Sequence, residues 1–250
     1  MSQRIALITG ATSGIGEATA RLLSLNYRLI ICGRREERLE NLKKELVGEV
    51  EVLSFDIRDK ESVFNSIASL PVEWQEIDVL INNAGNAHGL DFIHEGNMDD
   101  WDAMMDINVK GLLYVSKAII PQMVERKMGH IVNISSIAGL EVYPKGNVYC
   151  ASKHAVDALT KGMRMDLNGF GIKVTSIDPG LVETEFSEVR FKGNSEKAKQ
   201  VYQNYTPLTA KDVAETIEFV LNRPPHVVIG DLLILPTDQA SSTIVNKKSE

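Results

Sequence analysis

The sequence predicts an α/β fold: one doubly wound domain in which a seven-stranded parallel sheet is flanked by helices. Three observations predict it. Seven short runs rich in Val, Ile and Leu recur along the 250 residues, and they are apolar throughout, as strands buried on both faces are. Helical stretches separate them, and strand–helix alternation along the whole chain argues for parallel pairing through helical crossovers. No Pro/Ser-rich linker, internal repeat or low-complexity segment divides the chain, so a single domain over 1–250 is expected.

The elements follow in order. The first strand is RIALIT (4–9), and TGATSGIG (9–16) leads from it into a helix at 14–25. Glycines at 10, 14 and 16 let the backbone turn tightly and approach a pyrophosphate, which the free N–H groups and dipole of the helix start attract. The spacing is G-x-x-x-G-x-G. Its place after a strand and before a helix is what points to a nucleotide rather than to a simple tight turn. The second strand, RLIIC (28–32), runs into CGRREE and a helix at 35–47. An NAD site carries Asp or Glu at that strand end, but this chain has Gly33, Arg34 and Arg35. Arginines at a helix start oppose its macrodipole by about a few tenths of a kcal/mol. The 2′-phosphate of NADP, set between them, offsets that; the alternative is two solvated arginines paired with Glu36, Glu37 or helical neighbours.

EVLSF (51–55) precedes a helix at 59–69, DVLIN (78–82) a helix at 99–126, and HIVNIS (130–135) a helix at 147–168. The 99–126 helix is apolar nearly all round, and the 147–168 helix carries small residues at 151, 152, 155 and 158. A second subunit or a covering loop of the same chain would hide the outer faces. KVTSI (173–177) is followed by residues 179–209 without a strand, longer than an ordinary connection, which predicts a substrate lid at about 181–209. A helix at 210–222 and DLLIL (231–235) complete the pattern.

The formal charge of −7 argues against nucleic acid or an anionic membrane as partner. Two cysteines, Cys32 and Cys150, in apolar or small-residue surroundings read as buried thiols of a reducing compartment. RIALITG near the start has no charged n-region with a cleavage site, and no run reaches the roughly 18 apolar residues of a membrane span, so a cytoplasmic protein is expected.

YCASK (149–153) sets Tyr149 and Lys153 four residues apart, on one face of a helix. The pair is either a surface neighbour pair or a tuned acid, because a nearby cation lowers a phenol from its usual value of about 10.

Together these motifs resemble the short-chain dehydrogenase/reductase family over nearly the whole chain. They stand in that family's order: TGATSGIG, NNAG at 82–85, Asn108 in INVKG, ISS at 134–136, YCASK, and PG at 179–180, with Tyr149 placed 13 residues after Ser136. The resemblance implies a Rossmann-type fold and a catalytic group of Asn108, Ser136, Tyr149 and Lys153. It implies a coenzyme site of Gly10, Thr12, Ser13, Gly14, Ile15, Gly16, Arg34, Arg35, Tyr149 and Lys153. Asp56 would meet the adenine, Asn82, Asn83, Ala84 and Gly85 would support the coenzyme and sheet, and Pro179, Gly180, Val182 and Thr184 would flank the nicotinamide. No metal is implied, and the family's usual assembly is a homotetramer. More narrowly, DPGLVETEFSEVRFKGNSEKAKQVY, GRREERLENL and RPPHVVIGDLLILPTDQA resemble the NADP-dependent 3-hydroxy acid dehydrogenases, which include serine 3-dehydrogenases.

On this basis Tyr149 is the expected general base in oxidation and acid in reduction, with Lys153 and the nicotinamide favouring its phenolate. Ser136 would hydrogen-bond the substrate oxygen, and Lys153 would also hold the nicotinamide ribose. Asn108 either holds a water that passes protons to Lys153 or is a satisfied core amide. Arg190, in the lid, either binds a substrate carboxylate or is an exposed arginine paired with Glu185 or Glu188; Lys192 is its nearby substitute. The expected substrate is a 3-hydroxy acid such as serine or 3-hydroxypropionate. The alternatives are reduction of neutral ketones and aldehydes, and a non-catalytic NADP-sensing protein, which has no need of Ser136, Tyr149 and Lys153 together.

Overall fold

The computed structural model describes residues 3–248. Seven strands form one parallel sheet: β1 (Ile5–Thr9), β2 (Arg28–Gly33), β3 (Val50–Ser54), β4 (Ile77–Asn82), β5 (Gly129–Ile134), β6 (Ile172–Pro179) and β9 (Asp231–Ile234). Their order is β3-β2-β1-β4-β5-β6-β9. The strand order reverses between β1 and β4, which leaves a crevice at the carboxyl ends of these two strands, where open α/β sheets bind ligands.

Alternation along each strand divides the core into two layers. Leu7, Ile30, Leu80, Ile131 and Val174 face one side. There they pack on Val63 of α3 (Lys60–Ala68) and on Val115, Ile119 and Met123 of α5 (Leu112–Arg126). Ala6, Ile8, Leu29, Ile31, Val79, Ile81 and Val132 face the other side. Their partners are Ala20 and Leu23 of α1 (Gly14–Leu23), Leu39 and Leu42 of α2 (Glu36–Glu45), and Val213, Ile217 and Val220 of α9 (Ala210–Leu221). Full burial of such a side chain stabilises by about 1.5–3 kcal/mol, so both faces of the sheet are anchored. The strands are apolar on both sides for that reason.

The expected continuous helix over 99–126 is interrupted. α4 (Met98–Met105) passes through a π-helical turn, Asp106–Gly111, into α5. A wider turn inserts one residue into the helical ladder, and Asn108 lies within it. α6 (Asn147–Leu167) carries Tyr149 and Lys153 on the same side of the sheet as α5.

Residues 181–209 are not bare loop. β7 (Val182–Glu183) pairs in parallel with β8 (Leu208–Thr209), drawing the segment's ends together, and α7 (Phe186–Arg190) and α8 (Ser195–Val201) lie between them. Thr209 and Asp212 then form a reciprocal cap on α9.

Candidate active site

A cleft of about 540 Å³ opens at the carboxyl ends of the strands, between the sheet edge and the 181–209 segment. Its floor begins at the glycine turn. Gly10 has φ +67° and Gly14 φ +55°, conformations open to glycine without steric penalty. At Gly16 the need is space: a Cβ there would stand 2.4 Å from both Asn83 Nδ2 and the Gly10 carbonyl oxygen. Asn83 braces the turn by donating to the carbonyls of Thr9 (2.9 Å) and Gly10 (3.2 Å). Thr9 Oγ1 in turn accepts from the backbone N–H groups of Asn83 and Ala84, both at 3.0 Å. The NNAG stretch is therefore the back wall of the glycine turn, and Asn82 ties β4 to α5 and β5 through Ser116 and Asn133.

Arg34 and Arg35 line the same cleft but are not paired with Glu36 or Glu37. Arg34 lies 3.7 Å from Asp56, which Arg58 also holds at 2.6 Å. Burial pushes the Asp56 carboxyl up, but hydrogen bonds from Arg58 and the charges of Arg58 and Arg34 outweigh it and leave the group below its usual range. Arg35 donates to Thr12 Oγ1 at 2.8 Å and Ser13 Oγ at 2.9 Å, and meets Glu185 at 3.2 Å. Arg38, one helical turn on, meets the same carboxylate at 2.9 Å. Sequence reasoning missed Arg38, and it set Glu185 against Arg190 rather than against Arg35 and Arg38. The i, i+3 spacing of the arginines was visible, whereas their partner lies about 150 residues away.

Ser136, Tyr149 and Lys153 converge on the cleft. The Ser136 hydroxyl accepts from the Ala138 N–H at 3.1 Å and donates to the Pro179 carbonyl at 3.4 Å. Lys153 is buried, and its Nζ donates to the Ile134 carbonyl at 3.0 Å. Burial pulls the ammonium down to about 8, against the opposing charge of Asp178. Asn108 stands behind Gly85. Its Nδ2 donates to Asn86 O and Ser152 Oγ, each at 2.9 Å, and its Oδ1 accepts from Asn86 N at 2.9 Å. Both amide hydrogens are used, so any further hydrogen bond must be accepted by Oδ1.

The expected lowering of the Tyr149 phenol by Lys153 is not what the structure has. Burial pushes the phenol well above its usual value, and the Tyr143 phenol adds to this; Arg190 and the neighbouring Ser136 hydroxyl draw it back. Lys153 Nζ is 6.0 Å from the Tyr149 ring centroid. The one-turn spacing was right, but in a buried site desolvation of the phenolate is the larger effect.

Arg190 also departs from one of its two expected states. It is not paired with Glu185 or Glu188 but turns inward, its guanidinium 5.1 Å from the Tyr149 ring centroid, 5.6 Å from that of Tyr143 and 5.8 Å from that of Phe186. Its Nη2 donates to the Tyr143 hydroxyl, while its Nε is buried without a partner. Lys192, the expected substitute, is on the outside, paired with Asp100 at 2.8 Å. Tyr143, also unforeseen, lies midway between Ser136 and Tyr149 in the chain, and that position is its only signal.

Pro179, Gly180, Val182 and Thr184 line the cleft opposite the glycine turn, as do Thr12, Ser13, Ile15 and Gly85 nearer the floor. The residues present fit a dinucleotide: a glycine cradle at one end, two arginines beside it, and a polar cluster at the other. Among the described residues no group of His, Cys, Asp or Glu has a metal-binding arrangement.

Comparison with known proteins gives a consistent result. The model of the family described as short chain dehydrogenase matches residues 4–195. The chain is 46% identical over 238 residues to the NADP-dependent 3-hydroxy acid dehydrogenase YdfG of Escherichia coli strain K12, covering 94% of this chain and 96% of that protein. It is 43% identical over 235 residues to the serine 3-dehydrogenase of Rhizobium radiobacter, covering 94% of each. Among solved structures, the closed form of serine dehydrogenase complexed with NADP+ superposes with a TM-score of 0.94 at 44% identity, covering 98% of this chain and all of that one.

Proposed function

The chain belongs to the short-chain dehydrogenase family, and we propose that it is an NADP-dependent oxidoreductase that oxidises a 3-hydroxy acid, such as serine or 3-hydroxypropionate, or reduces the corresponding oxo acid. The observation that carries this reading is the caged Arg190, which has a buried Nε without a partner and lines a cleft that also holds Ser136, Tyr149 and Lys153. A guanidinium with a free donor suits a carboxylate, and a carboxylate anchored there sets its hydroxyl a fixed distance away. Similarity over 94% of the chain to 3-hydroxy acid dehydrogenases supports the same substrate class.

Gly10, Thr12, Ser13, Gly14, Ile15 and Gly16 would hold the pyrophosphate end of NADP, with Arg34 and Arg35 beside its 2′-phosphate and Asp56 beside the adenine. Asn83, Ala84 and Gly85 on one side and Pro179, Gly180, Val182 and Thr184 on the other would enclose its nicotinamide end. NADP supplies the hydride acceptor in oxidation and the hydride donor in reduction. Tyr149 moves the proton: as phenolate its oxygen takes the substrate hydroxyl proton in oxidation, and as phenol it gives one to the substrate oxygen in reduction. Ser136 Oγ donates a hydrogen bond to the substrate oxygen, where negative charge develops. Lys153 holds the ribose, and Asn108, through Oδ1, fixes a water that exchanges protons with Lys153. Residues 181–209 form the lid that excludes solvent from this proton transfer.

Tyr149→Phe tests the mechanism: turnover should be lost while NADP(H) still binds, because the glycine cradle is untouched. Near-normal activity would sink it. Arg190→Ala tests the substrate: kcat/KM for a hydroxy acid should fall roughly 10- to 150-fold, the magnitude of a charged hydrogen bond. A small neutral ketone should be affected little. Equal losses on both would favour a carbonyl reductase of neutral substrates.

Assembly and compartment belong to the same reading. Exposed Leu113, Met165 and Phe170, on α5, α6 and the turn after it, support burial against further copies in a homotetramer; light scattering on the purified protein measures it. The two free, buried thiols fit the reducing cytoplasm, which cell fractionation checks.

A further inference from the structure

We propose that Arg190, delivered by the lid, is the fixed cation that lowers the proton affinity of the buried Tyr149, and that a substrate carboxylate seated on Arg190 weakens this effect. The inference rests on Tyr149 being the acid–base group. It assigns Arg190 a second role, of which the tuning needs no bound carboxylate and the coupling does.

The geometry comes first. The guanidinium lies 5.1 Å from the Tyr149 ring centroid, closer than the Lys153 ammonium at 6.0 Å. It is locked there by the bond to Tyr143, by the packing of Phe186, and by the Arg190 carbonyl, which accepts from the Gly89 N–H at 3.0 Å. Phe186 meets the Tyr149 ring edge-on, 5.7 Å between centroids, so the lid helix presents cation and ring together. The two cations also differ in permanence. Lys153 is pulled down to about 8 and loses its charge in the alkaline range where a buried phenol would ionise. A guanidinium keeps its charge there.

The other charged and titratable groups around Tyr149 do not take this role. On its own helix stand Cys150 and Lys153; Tyr143 faces it from the preceding loop and raises its proton affinity. Asp178, on β6, acts on Lys153. Behind Tyr149 a small cavity is lined by His88, Asp91, Asp100 and Lys145, and Asp100 is already paired with Lys192 at 2.8 Å. Two consequences follow. The acid is tuned only when the lid is seated, and an anionic substrate partly cancels the tuning once bound, which favours the protonated phenol needed for reduction.

The test is an alkaline difference-absorbance titration of the tyrosinate band with NADP+ bound. Subtracting Tyr149→Phe isolates the single phenol. Arg190→Gln should move its midpoint up by about one pH unit, from the effect of a neighbouring opposite charge, and Arg190→Lys should restore most of the shift. Propionate, a carboxylate without the reacting hydroxyl, should raise the midpoint of the wild-type protein and leave Arg190→Gln where it is. An unchanged midpoint in Arg190→Gln overturns the proposal. A shift in Arg190→Gln with no response to propionate keeps the tuning and overturns the coupling to substrate. The pH profile of hydride transfer from methyl 3-hydroxypropionate, which is uncharged, separates tuning from lid damage. Tuning moves the midpoint, and a profile merely lowered at every pH rejects it. If Arg190→Gln does not fold, the propionate response of the wild-type protein decides. Retained activity in Tyr149→Phe would instead remove the reading on which all this rests.

Discussion

The glycine turn and the lid face each other across the cleft, so closely that a Cβ on Gly14 would meet the Thr184 side chain at 3.3 Å, yet different forces hold them. The turn is fixed by backbone conformation and by lack of space: left-handed φ at Gly10 and Gly14, and no room for a side chain at Gly16. The segment 181–209 is held mostly by side chains, beside the backbone bond from the Gly89 N–H to the Arg190 carbonyl. Glu185 joins it to Arg35 and Arg38, and Lys192 joins it to Asp100, while within the segment Tyr202 ties Ser187 to the Val182 carbonyl. The first arrangement is rigid and indifferent to salt. The second adds exposed ion pairs, each contributing about 0.2–1 kcal/mol, to the anchoring of Arg190 on Tyr143 and of Phe186 on Tyr149.

The contrast can be broken hardest at Gly16. Gly16→Val should destabilise the fold by about 3 kcal/mol or more, since the glycine turn or Asn83 must move, and should abolish NADP binding. Urea unfolding and coenzyme titration measure both effects, and a stable variant that binds NADP would show that the turn is not rigid. Next comes the arginine pair. Neutralising Arg34 and Arg35 together should weaken NADP by roughly 10- to 150-fold and NAD far less; equal losses would reduce the pair to surface charge. The smallest effect belongs to Glu185, and its sign is opposite. Its carboxylate stands against Arg35 and Arg38, where it would compete with a 2′-phosphate bound as proposed. Glu185→Gln should therefore tighten NADP binding by roughly two- to fivefold while making residues 181–209 more open to limited proteolysis. Weaker NADP binding in that variant would mean that Glu185 supports the phosphate site instead.

The same division explains what the sequence made legible. Gly10, Gly14 and Gly16 were readable because their constraint is local, a turn between a strand and a helix. Tyr149 and Lys153 were readable as neighbours because one helical turn fixes their spacing. Their electrostatics were not, since spacing says nothing about burial, and burial is what raises the phenol and lowers the ammonium. The π-helical turn at Asp106–Gly111 escaped notice because an apolar stretch shows no clear phase in which one inserted residue could be seen. Glu185 with Arg38, and Arg190 with Tyr143, are pairs 147 and 47 residues apart. No local pattern records such partners; only the folded lid brings them together.

The brace behind the glycine turn has a bearing on how the chain is made. Thr9 and Gly10 are held by Asn83, 74 and 73 residues later in the chain, and β1 has β4 as its inner neighbour. At roughly 5–20 residues per second, a ribosome takes about 4–15 s to deliver that brace after the turn has been synthesised. During that interval every glycine of the cradle exists, but nothing holds the cradle's back wall. A nascent chain that stops before β4 therefore carries the nucleotide motif without the nucleotide site. Capture of the coenzyme would therefore report that the two halves of the sheet have met, since the brace that completes the cradle comes from the second of them.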